Sequence, residues 1–485
     1  MKITKLEKYR PALHYSPKRN WMNDPNGLVF FKGEYHLFYQ HNPNDSIWGP
    51  MHWGHAVSKD LIVWDELDIA LFPDENGTIF SGSIVVDWNN TTGFFSEEPG
   101  LVAIFTHHRE GQIGNQAVQT QSLAYSFDKG RTWTKYNGNP VLSHPFKSDF
   151  RDPKVFWHKE SDKWIMVLAT GQTISFYSSP NLKDWKFESE FGEHVGSHDG
   201  VWECPDLFEL TIKNLNVKKW ILMVSIGDNP QFETGSRTQY FVGSFNGERF
   251  IPEHEDIKWL DYGKDNYAGV SFSDIPKEDG RRIYLGWMSN WRYANQVPTE
   301  GWRSQMTLPR ELELCEINGD YHLLQNVVRE IESYFEIKEE RTETIISERE
   351  GNIFEVNANY TKILLTLENL DANEYGFTIQ HTDTQYTTIT IDPKENQLCL
   401  NREKSGVIDF SDNFPKLQRV KLRESNRIHL QLIIDSSSLE LFINEGEQAL
   451  TSLIYPDKAC KRISLFASEG KINLVCGKVF VPFEN

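Results

Sequence analysis

One strand-like stretch occurs five times along the chain: EYHLFYQ at 34–40, LVAIFTHH at 101–108, KWIMVLAT at 163–170, KWILMVSIG at 219–227 and RRIYLGWMS at 281–289. The copies lie roughly 55 to 70 residues apart. Three of them are followed by a second run that ends in a turn and a tryptophan: HAVSKDLIVW (55–64), LAYSFDKGRTW (123–133) and FYSSPNLKDW (176–185). Serine opens each turn and Trp64, Trp133 or Trp185 closes it. This period is too long for a solenoid rung and suits a four-stranded blade with its loops. Helical periodicity is scarce throughout. Five copies over roughly 310 residues therefore predict a five-bladed β-propeller, whose radial repetition keeps sheet edges short and protected.

Immediately upstream of the copies stand NDPNGLVFF (23–31), FSGSIVVD (80–87), RDPKVFWHK (151–159), ECPDLFEL (203–210) and YAGVSFSD (267–274). Equivalent positions in a propeller share a radius, so these segments read as the innermost strands, entering the central channel from one end. That register brings Asp24, Arg151, Asp152, Glu203 and Asp206 together. Past Pro309 the pattern changes. YHLLQNVVREIESYF (321–335) reads as a helical or irregular connector, and from about 340 the strands alternate as two packed sheets would require. The expected organisation is all-β: a propeller over 1–315, a connector over 316–338 and a β-sandwich over 339–485.

A net charge of −19 lacks any basic footprint and argues against a nucleic-acid partner. No run is long and charge-free enough to span a bilayer, and Met1 leads into KITKLEKYRP without an apolar leader. The five cysteines lack metal-type spacing. A reduced, cytoplasmic protein with no membrane partner is the expectation.

Two carboxylates across a cleft suit cleavage of a glycosidic bond, one as nucleophile or base and the other as acid. Each residue also has a structural reading. Asp24 and Asp152 precede prolines and fit turn caps, while Arg151 and Glu203 fit an ion pair. Cys204 reads as a packed thiol, and His52 and His55 as core or rim residues. Trp21, Trp48, Trp53, Phe80, Trp202, Trp287 and Trp291 supply flat rings; Asn23 and Gln40 supply amides. Rings for C–H faces and amides for hydroxyls are what a sugar pocket uses.

Over nearly its whole length the chain resembles glycoside hydrolase family 32, the invertases, levanases, inulinases and fructan β-fructosidases. The resemblance is carried by NWMNDPNGLVFFKGEYHLFYQHNP, WGPMHWGHAVSKDLIVW, GTIFSGSIVVD, FRDPKVFW, VWECPDLF and SSSLELFINEGEQALTSLIYP. It implies that Asp24 is the nucleophile, Glu203 the general acid/base and Asp152 the carboxylate that stabilises the transition state. It implies a fructose pocket lined by Asn23, Gln40, Trp48, Phe80, Ser81, Arg151 and Trp287. The activity implied is that of a retaining, exo-acting β-fructofuranosidase, with no metal or organic cofactor. Its substrates would be levan- or inulin-type fructans, fructo-oligosaccharides and sucrose. A sucrose-preferring invertase is the alternative, with a fructosyltransferase and an inactive carbohydrate-binding protein behind it.

Overall fold

A computed structural model describes residues 7–111, 116–233, 235–347 and 354–483. Five sheets follow one another along the chain, antiparallel except where the short strand Trp302–Arg303 lies parallel to the first opening strand, and each opens on one of the upstream segments: Asn20–Phe31, Thr78–Val86, Arg151–His158, Trp202–Thr211 and Tyr267–Ser271. Each opening strand pairs with the recurring stretch after it, Glu34–Asn42, Leu101–Arg109, Lys163–Ala169, Lys218–Ile226 or Arg282–Met288. The opening strands touch one another in cyclic order and so line the central channel. The ring closes where the last meets the first: Phe30 N donates to Ser273 O at 2.9 Å, and Ser273 N to Leu28 O at 2.8 Å. The protein is an all-β, five-bladed propeller followed by a β-sandwich.

The turns that end in tryptophan are one device used three times. In the first, the Ser58 hydroxyl accepts from Leu61 N at 2.8 Å, and Asp60 Oδ1 accepts from Val63 N at 2.9 Å. In the second, Ser126 accepts from Gly130 N at 2.8 Å and Asp128 Oδ1 from Thr132 N at 2.9 Å. In the third, Asn181 Oδ1 takes the acceptor's place, at 3.0 Å from Lys183 N. Trp64, Trp133 and Trp185 then donate their indole N–H to the carbonyl three residues back, at 3.0, 3.0 and 2.9 Å. Short polar side chains satisfy the turn's amides locally. The tryptophan ties the turn to its blade and packs its ring against the core.

The stretch 316–338 differs from the expected connector. Asp320–Val327 is a strand that pairs along its length with Arg310–Ile317 and completes the fifth blade; a 3-10 helix, Arg329–Tyr334, follows it. The hairpin turns at Asn318 and Gly319, both at positive φ (54° and 83°), the conformation that an Asn-Gly pair adopts readily in a tight hairpin. The clustered apolar residues at 323, 324, 327 and 328 imitate a helical face because the strand end runs directly into the 3-10 turn.

Beyond it, two six-stranded antiparallel sheets pack face to face around Ile363, Leu365, Phe377, Ile389, Leu432 and Leu441 among others. One sheet is buried on both sides, because its Ile433, Phe442 and Ala449 join Leu308, Val328 and Ile331 of the preceding region in a common core. Charge crosses this seam as well. Arg310, fully buried, bonds Glu440 Oε2 at 2.5 Å and Asp261 Oδ2 at 3.1 Å. His14 bridges Asp435 Oδ2 and Glu440 Oε1, each at 2.8 Å. Arg402 reaches Asp265 at 2.6 Å. Every buried cation here meets a carboxylate, the arrangement that makes such burial tolerable.

Candidate active site

Pairing slips at the same place in all five channel strands: between Met22 and Pro25, Ile79 and Gly82, Arg151 and Lys154, Glu203 and Asp206, and Tyr267 and Val270. Each slip is a bulge, which bends the strand and redirects the side chains beside it. Asp152, Cys204 and Ala268 sit at the same position of three of them, at φ 62°, 45° and 53°. Non-glycine residues avoid that region, and held strain of this kind concentrates where geometry serves function. Gly27 at φ 54° shares the conformation in the first strand, and a Cβ there would meet Ile84 Cδ1 at 2.7 Å.

The bulges gather Asp24, Ser81, Asp152, Glu203 and Tyr267 from five different blades. Asp24 accepts from Asn23 Nδ2 at 3.0 Å and from the Ser81 hydroxyl at 2.7 Å. Cys204 links two of the acids: its Sγ lies 3.5 Å from Asp24 Oδ2 and 3.6 Å from Asp152 Oδ2, and its backbone N–H donates to Asp152 Oδ2 at 3.0 Å. Arg151 links the third: Nη2 donates to Glu203 Oε1 at 2.9 Å, and Nε stands 3.9 Å from Asp152 Oδ2. The other oxygen of Glu203 accepts from the Tyr267 hydroxyl.

Three carboxylates and one guanidinium in so small a space perturb each other. Burial pushes Asp152 up to about 7; Arg151 works against it, while Glu203 and Asp24 add to it. Burial also raises Asp24, with the Asn23 and Ser81 hydrogen bonds opposing. The Cys204 thiol is driven well above its ordinary range, first by burial and then by the surrounding carboxylates. Burial thus holds both Asp152 and Asp24 above the ordinary carboxylate range, and a cluster of perturbed acids in a cleft is what a reacting site displays.

The remaining pocket residues named from the sequence fall around this centre. Asn23 is held by Trp21, whose indole N–H donates to Asn23 Oδ1 at 2.7 Å. Gln40 donates to Asn26 Oδ1 at 3.3 Å, behind Asp24. Phe80 stacks on His108 at 4.2 Å and meets the edge of Trp48, which stands 40% exposed at the rim. Trp287 is fully buried against Trp21, Trp291 and Tyr267, and its indole N–H has no partner among the described residues. Asp206 does not join the group. Beyond the bulge it faces down the channel, where Oδ2 accepts from Ser271 N at 2.6 Å and Oδ1 lies 3.3 Å from Lys154 Nζ. Sequence reasoning passed over Tyr267, whose only signal is that it opens the fifth upstream segment. It also took Cys204 for packing alone.

Residues 14–326 match the N-terminal domain of glycosyl hydrolases family 32, and residues 330–480 match that family's C-terminal domain. The chain belongs to glycosyl hydrolases family 32. It is an enzyme, a glycoside hydrolase acting on fructose-containing carbohydrate. The levanase of Bacillus subtilis strain 168 is 48% identical over 96% of this chain and 69% of its own length. The extracellular exo-inulinase of Aspergillus niger is 36% identical over 95% of this chain and 92% of its own. The crystal structure of the exo-inulinase from Aspergillus awamori superposes with a TM-score of 0.92 at 34% identity, covering 99% of this chain and all of the other. These relatives overturn the cytoplasmic address expected from the sequence, since the Aspergillus enzymes with the same two-part architecture are extracellular. That expectation rested on the first residues and on cysteine spacing, and the fold depends on neither. No helix among the described residues is long and apolar enough to cross a membrane.

Proposed function

We propose that the protein is a retaining, exo-acting β-fructofuranosidase that releases terminal fructose from levan- or inulin-type fructans and fructo-oligosaccharides, and that also cleaves sucrose. The observation that carries this reading is the linkage of Asp24, Asp152 and Glu203 through Cys204 and Arg151 at one channel mouth. The levanase and exo-inulinase relatives supply the substrate class.

Asp24 attacks C2 of the terminal fructosyl unit, and the C2–O bond breaks as Glu203 gives its proton to the departing oxygen. The Asn23 and Ser81 donors fix the Asp24 carboxylate for attack. Positive charge developing on the ring is met by Asp24 and by Asp152, held in a site shielded from bulk water. Arg151 and Tyr267 orient Glu203. In the second step Glu203 takes a proton from water, whose oxygen attacks C2 and frees Asp24, so the anomeric configuration is retained. Asn23, Gln40, Trp48, Phe80, Ser81, Arg151 and Trp287 surround the fructose.

Product analysis over time on sucrose, inulin and levan tests the reading. Free fructose alone from both polymers, with the β-anomer formed first in an NMR time course, is expected. A ladder of oligomers, inversion, or turnover confined to sucrose would overturn it.

A further inference from the structure

The propeller channel has a second mouth. A cavity of about 700 Å³ opens where the inner strands end, lined from Val85–Asn89, Lys154–Glu160, Leu207–Glu209 and the 273–277 loop. It lies at the far end of the strands from the acids: Asp152 and His158 stand near opposite ends of one strand, about 20 Å apart at about 3.3 Å per residue. The Lys154–Asp206 pair stands in the channel between the two.

This cavity has the chemistry of a saccharide site. Trp88 presents a ring that is 58% exposed, held in place by an indole bond to Asp274 Oδ1 at 2.8 Å. Trp157 and Trp220 also line it, and their indole N–H groups have no partner among the described residues. Arg282 lies over the Phe208 ring at 4.9 Å. Its Nη1 makes only long contacts, 3.4 Å to Ser271 Oγ and 3.3 Å to Phe272 O; Nε and Nη2 have no partner and the guanidinium makes no ion pair among the described residues. None of these donors is sealed from solvent; they open onto the cavity, where a ligand that brings acceptors meets them in place of water. Lys154 and Lys218 are already paired with Asp206 and Glu209, and Asp274 is taken up by Trp88 and Val86 N. Lys159 and Lys277 also line the cavity, exposed to solvent and without an ion pair among the described residues; what suits a neutral polyol is the exposed apolar face of Trp88, which an anion would leave uncovered. The size also falls in the range of ligand pockets.

We infer that the second mouth binds a stretch of fructan chain, with sugar faces against Trp88 and hydroxyls on Arg282, Trp157 and Trp220. The inference rests on the fructan-cleaving function proposed above. Because the channel is blocked midway, one chain occupies both mouths only by passing round the outside of a blade. Long polymers therefore gain from the second contact through effective concentration, and short substrates do not.

The test compares wild type with Trp88→Ala and Arg282→Gln on sucrose and on levan. Sucrose kcat/KM is expected to hold, while KM for levan rises about threefold to tenfold, the scale of one lost aromatic stack. Unchanged levan KM in both variants overturns the inference. Should either variant lose sucrose and levan activity together, calorimetric titration of Asp24→Ala with a short fructo-oligosaccharide at millimolar concentration decides. Two sites are expected, reduced to one in Asp24→Ala Trp88→Ala, and a single site in Asp24→Ala overturns the inference. If wild type released no fructose from any fructan, the proposed function would fall first. Fructose release with one binding site removes the second mouth alone.

Discussion

Arg151 Nη2 lies 2.9 Å from Glu203 Oε1, so the residue proposed as general acid/base is gripped by a cation from the neighbouring blade. The Tyr267 hydroxyl closes on the other oxygen from a third blade. Neither partner is near Glu203 in sequence, and between them they leave the carboxyl little rotational freedom. Orientation of this sort is what converts a nearby acid into a catalytic one.

Tyr267→Phe removes one of those two restraints without opening space. The expected result is a fall in kcat of about tenfold or more, since a hydrogen bond to a charged group is worth ~1.5–3 kcal/mol. KM for sucrose should move little. Steady-state kinetics with unchanged Tm checks this; an unaltered kcat would remove Tyr267 from the positioning of Glu203.

Asp24→Ala and Glu203→Ala separate the two proposed roles. Loss of Asp24 should cost at least about 10⁴-fold in kcat, the scale for losing a nucleophile, with the far-ultraviolet spectrum preserved. Loss of Glu203 should cost about 10²–10⁴-fold on sucrose, the range for general acid–base catalysis, and much less on a substrate whose leaving group needs no proton. Wild-type turnover by Asp24→Ala would dismiss the mechanism.

Asp152 is predicted to lower stability in exchange for chemistry. Its carboxyl is raised by burial from 3.8 to about 7 in the folded protein. The folded form resists ionisation, so stability is greatest below the unfolded value and declines as pH rises from about 4 to about 7. Asp152→Asn should therefore raise Tm at pH 7 while suppressing activity, and the gain should shrink towards pH 4. Calorimetric melting curves of both proteins across that interval provide the measurement. An equal effect at both ends would show that ionisation of Asp152 is not the cause.

His14 makes the opposite contribution at the seam. Burial alone would lower its proton affinity, but bonds to Asp435 and Glu440 outweigh that and hold it up at about 9. A histidine raised in the folded state adds stability that is complete below about 6.5 and is lost as pH rises through about 9. His14→Gln should cost about 3–5 kcal/mol near pH 6, the penalty for breaking a buried charge pair. The Tm gap to wild type should narrow above pH 9, and a gap independent of pH would mean that His14 acts through packing alone.

Much of this fold is legible in the chain. Ser58, Asp60 and Trp64, with their counterparts at 126–133 and 179–185, write each turn in residues that act on neighbours a few positions away. The site was legible as far as which segments meet, because equivalent strands share a radius. It was not legible at the level of single side chains. Asp206 stands three residues from Glu203, yet the bulge between them sends one to Arg151 and the other to Lys154. The hairpin at Asn318–Gly319 went unread because the apolar residues after it suit a helix as well as a strand joined to a 3-10 turn.

The sequence by itself determined a ring of five like sheets, a sandwich after it, and which segments face the channel, since strand period, turn chemistry and repeat spacing are all local. Only the tertiary structure decided that Cys204 touches both Asp24 and Asp152, that Tyr267 holds Glu203, and that His14 and Arg310 share Glu440 across the seam. Those outcomes depend on where bulges reverse a strand's facing and on burial beside charges far away in the chain. Neither quantity exists until the blades have closed into a ring.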